Sequence, residues 1–69
     1  MFTLNTFAVG VETTSGLFLI ARCHNRVTAE FLLRKVAGSN TRNTVVLAPG
    51  ASFDRDVSHE PAITAWLSA

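Results

Sequence analysis

The densest group of titratable side chains in the sequence comprises Asp54, Asp56, His59 and Glu60. Two carboxylates two residues apart beside an imidazole have the chemistry to bind a divalent cation, or to act as an acid and a base in proton transfer. The segment lacks the glycine-punctuated spacing of a calcium loop, and Arg55 partly neutralises the two aspartates. A turn of this composition is usually only solvated. We therefore predict no catalytic residue, no metal site and no other cofactor.

Cys23 and His24 are adjacent, which suggests metal or thiol chemistry. A structural zinc site needs four ligands, usually in two spaced pairs, and beyond these two the sequence offers only His59 and a few carboxylates. Neighbouring residues of a strand also point to opposite faces. We therefore predict that Cys23 is a small buried apolar side chain and that His24 is a solvated residue at a strand end. The single cysteine also excludes a disulfide scaffold.

Positive charge is concentrated in the middle of the chain, although the net charge is only +1. Residues 20–43 contain one acid, Glu30, and five cations: Arg22, Arg26, Arg34, Lys35 and Arg42. Guanidinium groups bind carboxylates and phosphates equally well. The pattern therefore suits an acidic protein surface. Nucleic acid is the alternative, but the overall charge is low for it and no aromatic residues interleave with the cations.

A β-hairpin is predicted ahead of this basic segment. Apolar side chains alternate from Phe7 to Val11, which is the period of a half-buried strand. Phe2 and Leu4 are out of phase with this alternation, so that either a bulge precedes Phe7 or strand pairing starts only there. Gly16 lies in the turn, where it can adopt a positive φ.

The second strand of the hairpin, Leu17 to Cys23, is apolar on both faces. A three-residue turn predicts three cross-strand pairs: Val11 with Leu19, Val9 with Ala21, and Phe7 with Cys23. Phe18 and Ile20 then point to the opposite face. Because a strand with two apolar faces is covered on both sides, we predict a second layer or a partner at Phe18 and Ile20.

A helix is predicted to follow, with an apolar face formed by Ala29, Leu32, Leu33 and Val36. Thr28 is a suitable N-cap, and Asn25 is the alternative for a helix that begins earlier. Gly38 is a natural residue to follow the helix C-terminus. On the solvent side Glu30 and Arg34 are four residues apart, which favours an ion pair.

The remaining predicted elements are short. Thr44 to Ala48 is typical of a buried strand, and Ala51 to Val57 is either a weak fourth strand or a loop. Ser58 is a suitable N-cap for a last helix whose apolar face contains Trp66. The order of elements predicts one α+β domain over residues 1–69, in which a β-hairpin is followed by a helix packed on an antiparallel sheet.

The composition bears on oligomeric state and location. Of the 69 residues, 48% are hydrophobic and 16% are charged, yet a domain of this size buries only about 60% of the surface of its unfolded chain. We expect an exposed apolar patch that a second copy or another protein covers, with Trp66 as an anchor. The alternative is that Trp66 closes the core and that the other exposed apolar residues are isolated.

No segment of the sequence is typical of membrane insertion or export. The longest strictly apolar run, Leu17 to Ala21, is too short to span a bilayer. No positively charged segment followed by an apolar stretch and a cleavage site is present, so we expect no signal peptide. Together with the single cysteine, these observations predict a cytoplasmic protein without a membrane partner.

No family motif is present in the sequence. In size and in the order of its elements, however, the chain resembles the small α+β proteins that phages encode to inhibit host systems, anti-CRISPR proteins among them. The resemblance implies a non-enzymatic inhibitor that acts by binding a macromolecule. We predict a protein partner, a homodimer, and a contact surface drawn from eight residues: Arg34, Lys35, Arg42, Arg22, Arg26, Phe18, Ile20 and Trp66.

Overall fold

The computed structural model of the protein describes residues 2–39 and 43–68. The elements in chain order are β1 (Phe2–Thr3), β2 (Phe7–Thr13), β3 (Gly16–Cys23), α1 (Arg26–Ser39), β4 (Thr44–Leu47), β5 (Ser52–Phe53), β6 (Arg55–Asp56) and α2 (Pro61–Ser68). A four-stranded sheet has the order β4-β2-β3-β6, and β1 pairs with β5 in a separate ribbon. The predicted α+β class, with a helix packed on the sheet and a short C-terminal helix, is confirmed.

The sheet is mixed, because β6 runs parallel to β3 while the other pairs are antiparallel. Two backbone hydrogen bonds support this parallel pair. Asp54 N donates to Leu17 O at 2.8 Å, and Val57 N donates to Leu19 O at 2.9 Å. The segment that follows β4 therefore returns to the far edge of the sheet, where it extends the hairpin.

The hairpin has the predicted register far from its turn and a different register near it. Two predicted pairs are confirmed: Phe7 with Cys23, and Val9 with Ala21. The third is wrong, because Val11 pairs with Phe18 and not with Leu19. The turn is tighter than predicted, since Thr13 pairs with Gly16, and a β-bulge further along the strands makes up the difference of one residue.

The bulge also decides which face of the sheet the centre of β3 presents. Ile20 is the residue between Leu19 and Ala21 that has no cross-strand partner in β2. Phe18 and Ile20 therefore lie on the same face as Val11, and Leu19 lies on the other, which reverses the predicted assignment. An unpaired extra residue has this effect because side chains alternate strictly along a strand.

Each face of the sheet carries its own apolar cluster. The helix-side cluster has the buried residues Val9, Val11, Ile20, Cys23, Ala29, Val36 and Val57. The ribbon-side cluster has the buried residues Leu4, Ala8, Leu19, Leu47 and Phe53. The helices cover one face and the β1–β5 ribbon contributes to covering the other. The predicted second layer is thus supplied by the chain itself, and the two apolar faces of β3 are not evidence for a partner.

Helix α1 begins before Thr28, the first predicted N-cap, and extends past Gly38, the predicted residue after its C-terminus. Asn25 is the N-cap, because its Oδ1 accepts the N–H of Thr28 at 2.8 Å, so the alternative cap is the correct one. The helix continues through Gly38, so the prediction that Gly38 follows its end is wrong. Glycine keeps its N–H, and a helix can therefore include it at a cost of about 1 kcal/mol relative to alanine. Of the predicted core face, Val36 is buried and Leu32 is half-buried.

The segment 51–57 is neither one strand nor a loop. It divides at Asp54 into β5, which pairs with β1, and β6, which pairs with β3. The two halves belong to different sheets because the chain bends at Asp54 and crosses from the ribbon to the sheet edge. By contrast, the predicted strand that begins at Thr44 is confirmed as β4.

Helix α2 begins at Pro61, not directly after Ser58. The carbonyl of Glu60 accepts the N–H groups of Ile63 and Thr64 at 3.1 and 3.0 Å, which places Glu60 at the cap position and Pro61 at the first helical position. The prediction that Ser58 is the N-cap of this helix is therefore wrong. Its N–H and its hydroxyl are both donated to the carboxylate of Asp56.

Candidate functional site

Three of the predicted contact residues are engaged within the fold. Ile20 is 1% exposed in the helix-side cluster, so it offers a partner almost no surface. Arg22 Nη1 donates to Asp56 Oδ2 at 2.8 Å, and its guanidinium lies over an aromatic ring of β5, 5.9 Å from the ring centroid. Arg26 Nε donates to Glu30 Oε2 at 3.3 Å. Arg22 and Arg26 therefore each have a carboxylate partner within the fold.

The outer side of α1 presents an apolar pair that the sequence analysis missed. Val27 is 76% exposed and Phe31 is 71% exposed. They are four residues apart and hence adjacent on the helix. Arg34 and Lys35, both exposed, follow one turn later on either side of the same face. We call these four residues the α1 outer surface.

The opposite side of α1 is packed in the core, through Ala29 and Val36. A helix that is apolar on two sides is normally covered on both. The sequence indicates this exposed pair, because a core face centred on Ala29 and Val36 leaves Val27 and Phe31 on the opposite side of the helix.

The α1 outer surface is electropositive. Glu30 is the only acid among the fourteen residues of the helix, and its carboxylate is bound to Arg26. The predicted pair of Glu30 with Arg34 is not formed among the described residues. Arg34 and Lys35 therefore add positive charge beside Phe31 without an acid of the same helix between them. Arg42, predicted to join this surface, lies outside the described residues.

The other two predicted contact residues, Phe18 and Trp66, meet in a cleft between the sheet and α2. The cleft has a volume of about 360 Å³ and is lined by Val11, Thr13, Phe18, Ile20, Val57, Ile63 and Trp66. The hydroxyl group in the lining is already bonded, because Thr13 Oγ1 donates to Gly16 O at 2.8 Å and accepts from Ser15 N at 3.1 Å. The side chains of Phe18 and Trp66 are half-buried, so they serve the core and the cleft together.

The aspartates of the titratable group bind the protein's own backbone and side chains. Asp54 Oδ2 accepts the N–H of Leu17 at 2.8 Å, which ties the hairpin turn to β6. Asp56 Oδ1 accepts the Ser58 hydroxyl at 2.6 Å. That hydrogen bond, with further help from the Ser58 N–H and Arg22, lowers the pKa of Asp56 from 3.8 to about 2. Within the part of the chain that the structure describes, no three metal-ligating side chains converge.

Cys23 is 7% exposed in the helix-side cluster, and burial raises the pKa of its thiol. The neutral thiol is a poor nucleophile and a poor metal ligand. His24 is exposed directly after β3. Both predictions for this pair are therefore confirmed: Cys23 packs as a small apolar residue and His24 is solvated.

The chain matches no family model, no curated protein and no solved structure. Over residues 2–39 and 43–68, no helix has both the length and the apolar character to cross a membrane. Among the surfaces of the described residues, the α1 outer surface carries the two most exposed large apolar side chains, Val27 and Phe31, next to the cationic residues Arg34 and Lys35.

Proposed function

We propose that the protein is a non-enzymatic binding protein that engages another protein through the α1 outer surface. The observation that supports this most is the exposure of Phe31 and Val27 side by side on a helix whose other face is already in the core. Covering a large apolar side chain contributes about 1.5–3 kcal/mol, which a partner gains only by contacting this face.

The chemistry of the surface defines the partner. Phe31 and Val27 fit an apolar groove, as an amphipathic helix does when it binds along its i and i+4 positions. Arg34 and Lys35 flank that pair and favour carboxylates on the rim of the groove. Aromatic and arginine side chains are also the residues that most often dominate binding energy. The partner is therefore a protein with an acidic rim around an apolar groove.

A nucleic-acid partner is less well supported by the same residues. Phosphate binding is driven by the number of cations that reach the backbone. Here Arg22 and Arg26 are bound to carboxylates, and the centre of the exposed face is apolar. We propose instead that the protein acts in the cytoplasm as an inhibitor of the phage type, which blocks a protein by covering its surface.

The experiment compares four tagged proteins for capture of partners from bacterial lysate, quantified by mass spectrometry. These are wild type, Phe31→Ala, the double charge reversal Arg34→Glu with Lys35→Glu, and the control Phe2→Ala. Phe2 is also an exposed phenylalanine, but it lies on the ribbon, away from α1. Circular dichroism establishes that each variant is folded.

We expect wild type and Phe2→Ala to capture the same protein. Phe31→Ala and the double reversal should each bind it at least about tenfold more weakly, which corresponds to about 1.4 kcal/mol. Folded variants that retain full binding would refute the role of the α1 outer surface. Steeply salt-dependent binding of labelled DNA or RNA in a gel shift, lost in the double reversal, would favour the nucleic-acid alternative.

A further inference from the structure

Strand β4 forms one edge of the four-stranded sheet. It pairs with β2 on one side, and no strand of the described residues pairs with it on the other. Asn43 O accepts the N–H of Glu12 at 2.8 Å, so the backbone groups of residue 43 face β2. Because these groups alternate along an antiparallel strand, those of Thr44 and Val46 point outward. Their N–H and C=O groups form a template for one further strand.

Within its four residues, Thr44–Leu47, β4 has no charged side chain, no proline and no bulge. Proteins blunt such edges with charged side chains, proline, bulges or very short strands. The opposite edge, β6, has two residues, Arg55 and Asp56, and both are charged. By contrast, β4 has the sequence Thr-Val-Val-Leu and pairs with β2 in continuous register. The two edges of the sheet therefore differ, and β4 is the one open to pairing.

We propose that β4 pairs antiparallel with β4 of a second copy, which joins two four-stranded sheets into one. A two-fold axis brings the same short segment of the two copies together, so a strand with a net charge would repel its copy whereas this uncharged strand does not. In the joined sheet, the side chains that lie on the ribbon-side face of one copy must also lie on the ribbon-side face of the other. The register centred on the middle of the strand meets these conditions and uses the outward groups of both Thr44 and Val46; it places Val45 opposite Val45 of the second copy and Thr44 opposite its Val46.

In this arrangement the outward groups of Thr44 and Val46 form four hydrogen bonds across the axis. The two Val45 side chains meet on the face of the ribbon-side cluster, against which Val45 already packs. The α1 outer surface faces away from the sheet and is not needed for this pairing. The dimer is therefore independent of the proposed function, and either can fail without the other.

The test measures mass by light scattering for wild type, Thr44→Pro and the matched control Thr44→Ala. Proline removes the outward N–H of Thr44 without removing a hydrogen bond to β2, and edge strands tolerate it. Wild type and Thr44→Ala should rise from 7.5 kDa towards twice that mass between about 5 and about 500 µM. Thr44→Pro should associate at least about tenfold more weakly.

Amide hydrogen exchange of wild type keeps the proposal testable if Thr44→Pro does not fold. The N–H groups of Thr44 and Val46 should gain protection as the protein concentration rises, whereas that of Val45, which faces β2, should not. A monomer at every concentration would overturn the proposal. So would a dimer that Thr44→Pro leaves intact, a dimer that Phe31→Ala abolishes, or protection of Thr44 and Val46 that is independent of concentration.

Discussion

Asp56 shows how a residue whose type suggests acid–base chemistry becomes a structural anchor. Its carboxylate receives the hydroxyl and the N–H of Ser58 on one oxygen and the guanidinium of Arg22 on the other. Hydrogen bonds to the charged form stabilise it, and the pKa of Asp56 falls to about 2. A carboxyl group with so low a pKa is a poor general base near neutral pH. Its effect is on stability instead.

The first prediction concerns acid stability. Because the folded pKa of Asp56 lies below the ordinary value of 3.8, its contribution to stability is complete above that pH and is lost as the pH falls towards about 2. Asp56→Asn should therefore be less stable than wild type at neutral pH, by about 1 kcal/mol or less for a partly exposed group. Urea titrations at successive pH values should show that the difference in unfolding free energy between Asp56→Asn and wild type disappears as the pH falls from 3.8 towards about 2.

Arg22→Gln is the matched control for this prediction. It removes the ion pair but leaves both Ser58 hydrogen bonds, which lower the pKa of Asp56 more than Arg22 does. Most of the pH dependence should therefore remain. If Arg22→Gln abolishes the loss of stability at acid pH as completely as Asp56→Asn does, the ion pair and not Ser58 is the main cause of the low pKa of Asp56.

At the scale of elements, the β2–β3 hairpin depends on the geometry at Gly16. Gly16 has a φ of +121°, which side chains rarely adopt, and a Cβ added there would lie 2.8 Å from Asp54 Cγ. The same Asp54 accepts the N–H of Leu17, so the carboxylate cannot move aside without breaking that hydrogen bond. The tight turn, the parallel β6 strand and the absence of a side chain at residue 16 thus support one another.

The second prediction uses two glycine variants to separate the backbone strain of a positive φ from the clash of an added Cβ with Asp54. Gly50 has a φ of +95° and nothing within 4 Å of an added Cβ, so Gly50→Ala should cost only the backbone strain, about 1–2 kcal/mol. Gly16→Ala carries that strain and the clash with Asp54, and should cost about 1 kcal/mol more. Equal unfolding free energies for the two variants would show that Asp54 does not constrain the turn.

At the scale of the whole molecule, one sheet separates two apolar clusters. Leu4 is buried on the ribbon side, whereas Trp66 packs on the helix side. The two clusters share strands β2 and β3, and neither is large enough for an independent domain. The two sides should therefore unfold together.

The third prediction uses Trp66, the single tryptophan of the chain, as a reporter for the opposite face. Leu4→Ala should cost about 2–5 kcal/mol, as buried leucine truncations do. The midpoint of urea unfolding should fall by the same amount in Trp66 fluorescence and in circular dichroism. Asn5→Ala, at the exposed neighbouring residue, should leave both midpoints nearly unchanged. A Trp66 midpoint unaffected by Leu4→Ala would show that the two faces unfold separately.

The local patterns of this fold follow from the amino-acid sequence alone. The alternation from Phe7 to Val11, the core face around Val36 and the burial of Cys23 follow from the periods of strand and helix, which the backbone imposes on any chain. The same helical period placed Arg34 and Lys35 on the outer side of α1.

The contacts between distant parts of the chain, by contrast, become visible only in the three-dimensional fold. Arg22 binds Asp56, 34 residues away, and Leu17 binds Asp54, 37 residues away. No local period encodes such contacts, since they depend on the path of the chain between them. One bulge at Ile20 likewise reversed the faces of β3, and the covering of both faces left α1, not β3, with the exposed apolar surface. The exposed apolar side chains beside Arg34 and Lys35 are therefore Val27 and Phe31, whereas Phe18 and Trp66 are half-buried and Ile20 is buried.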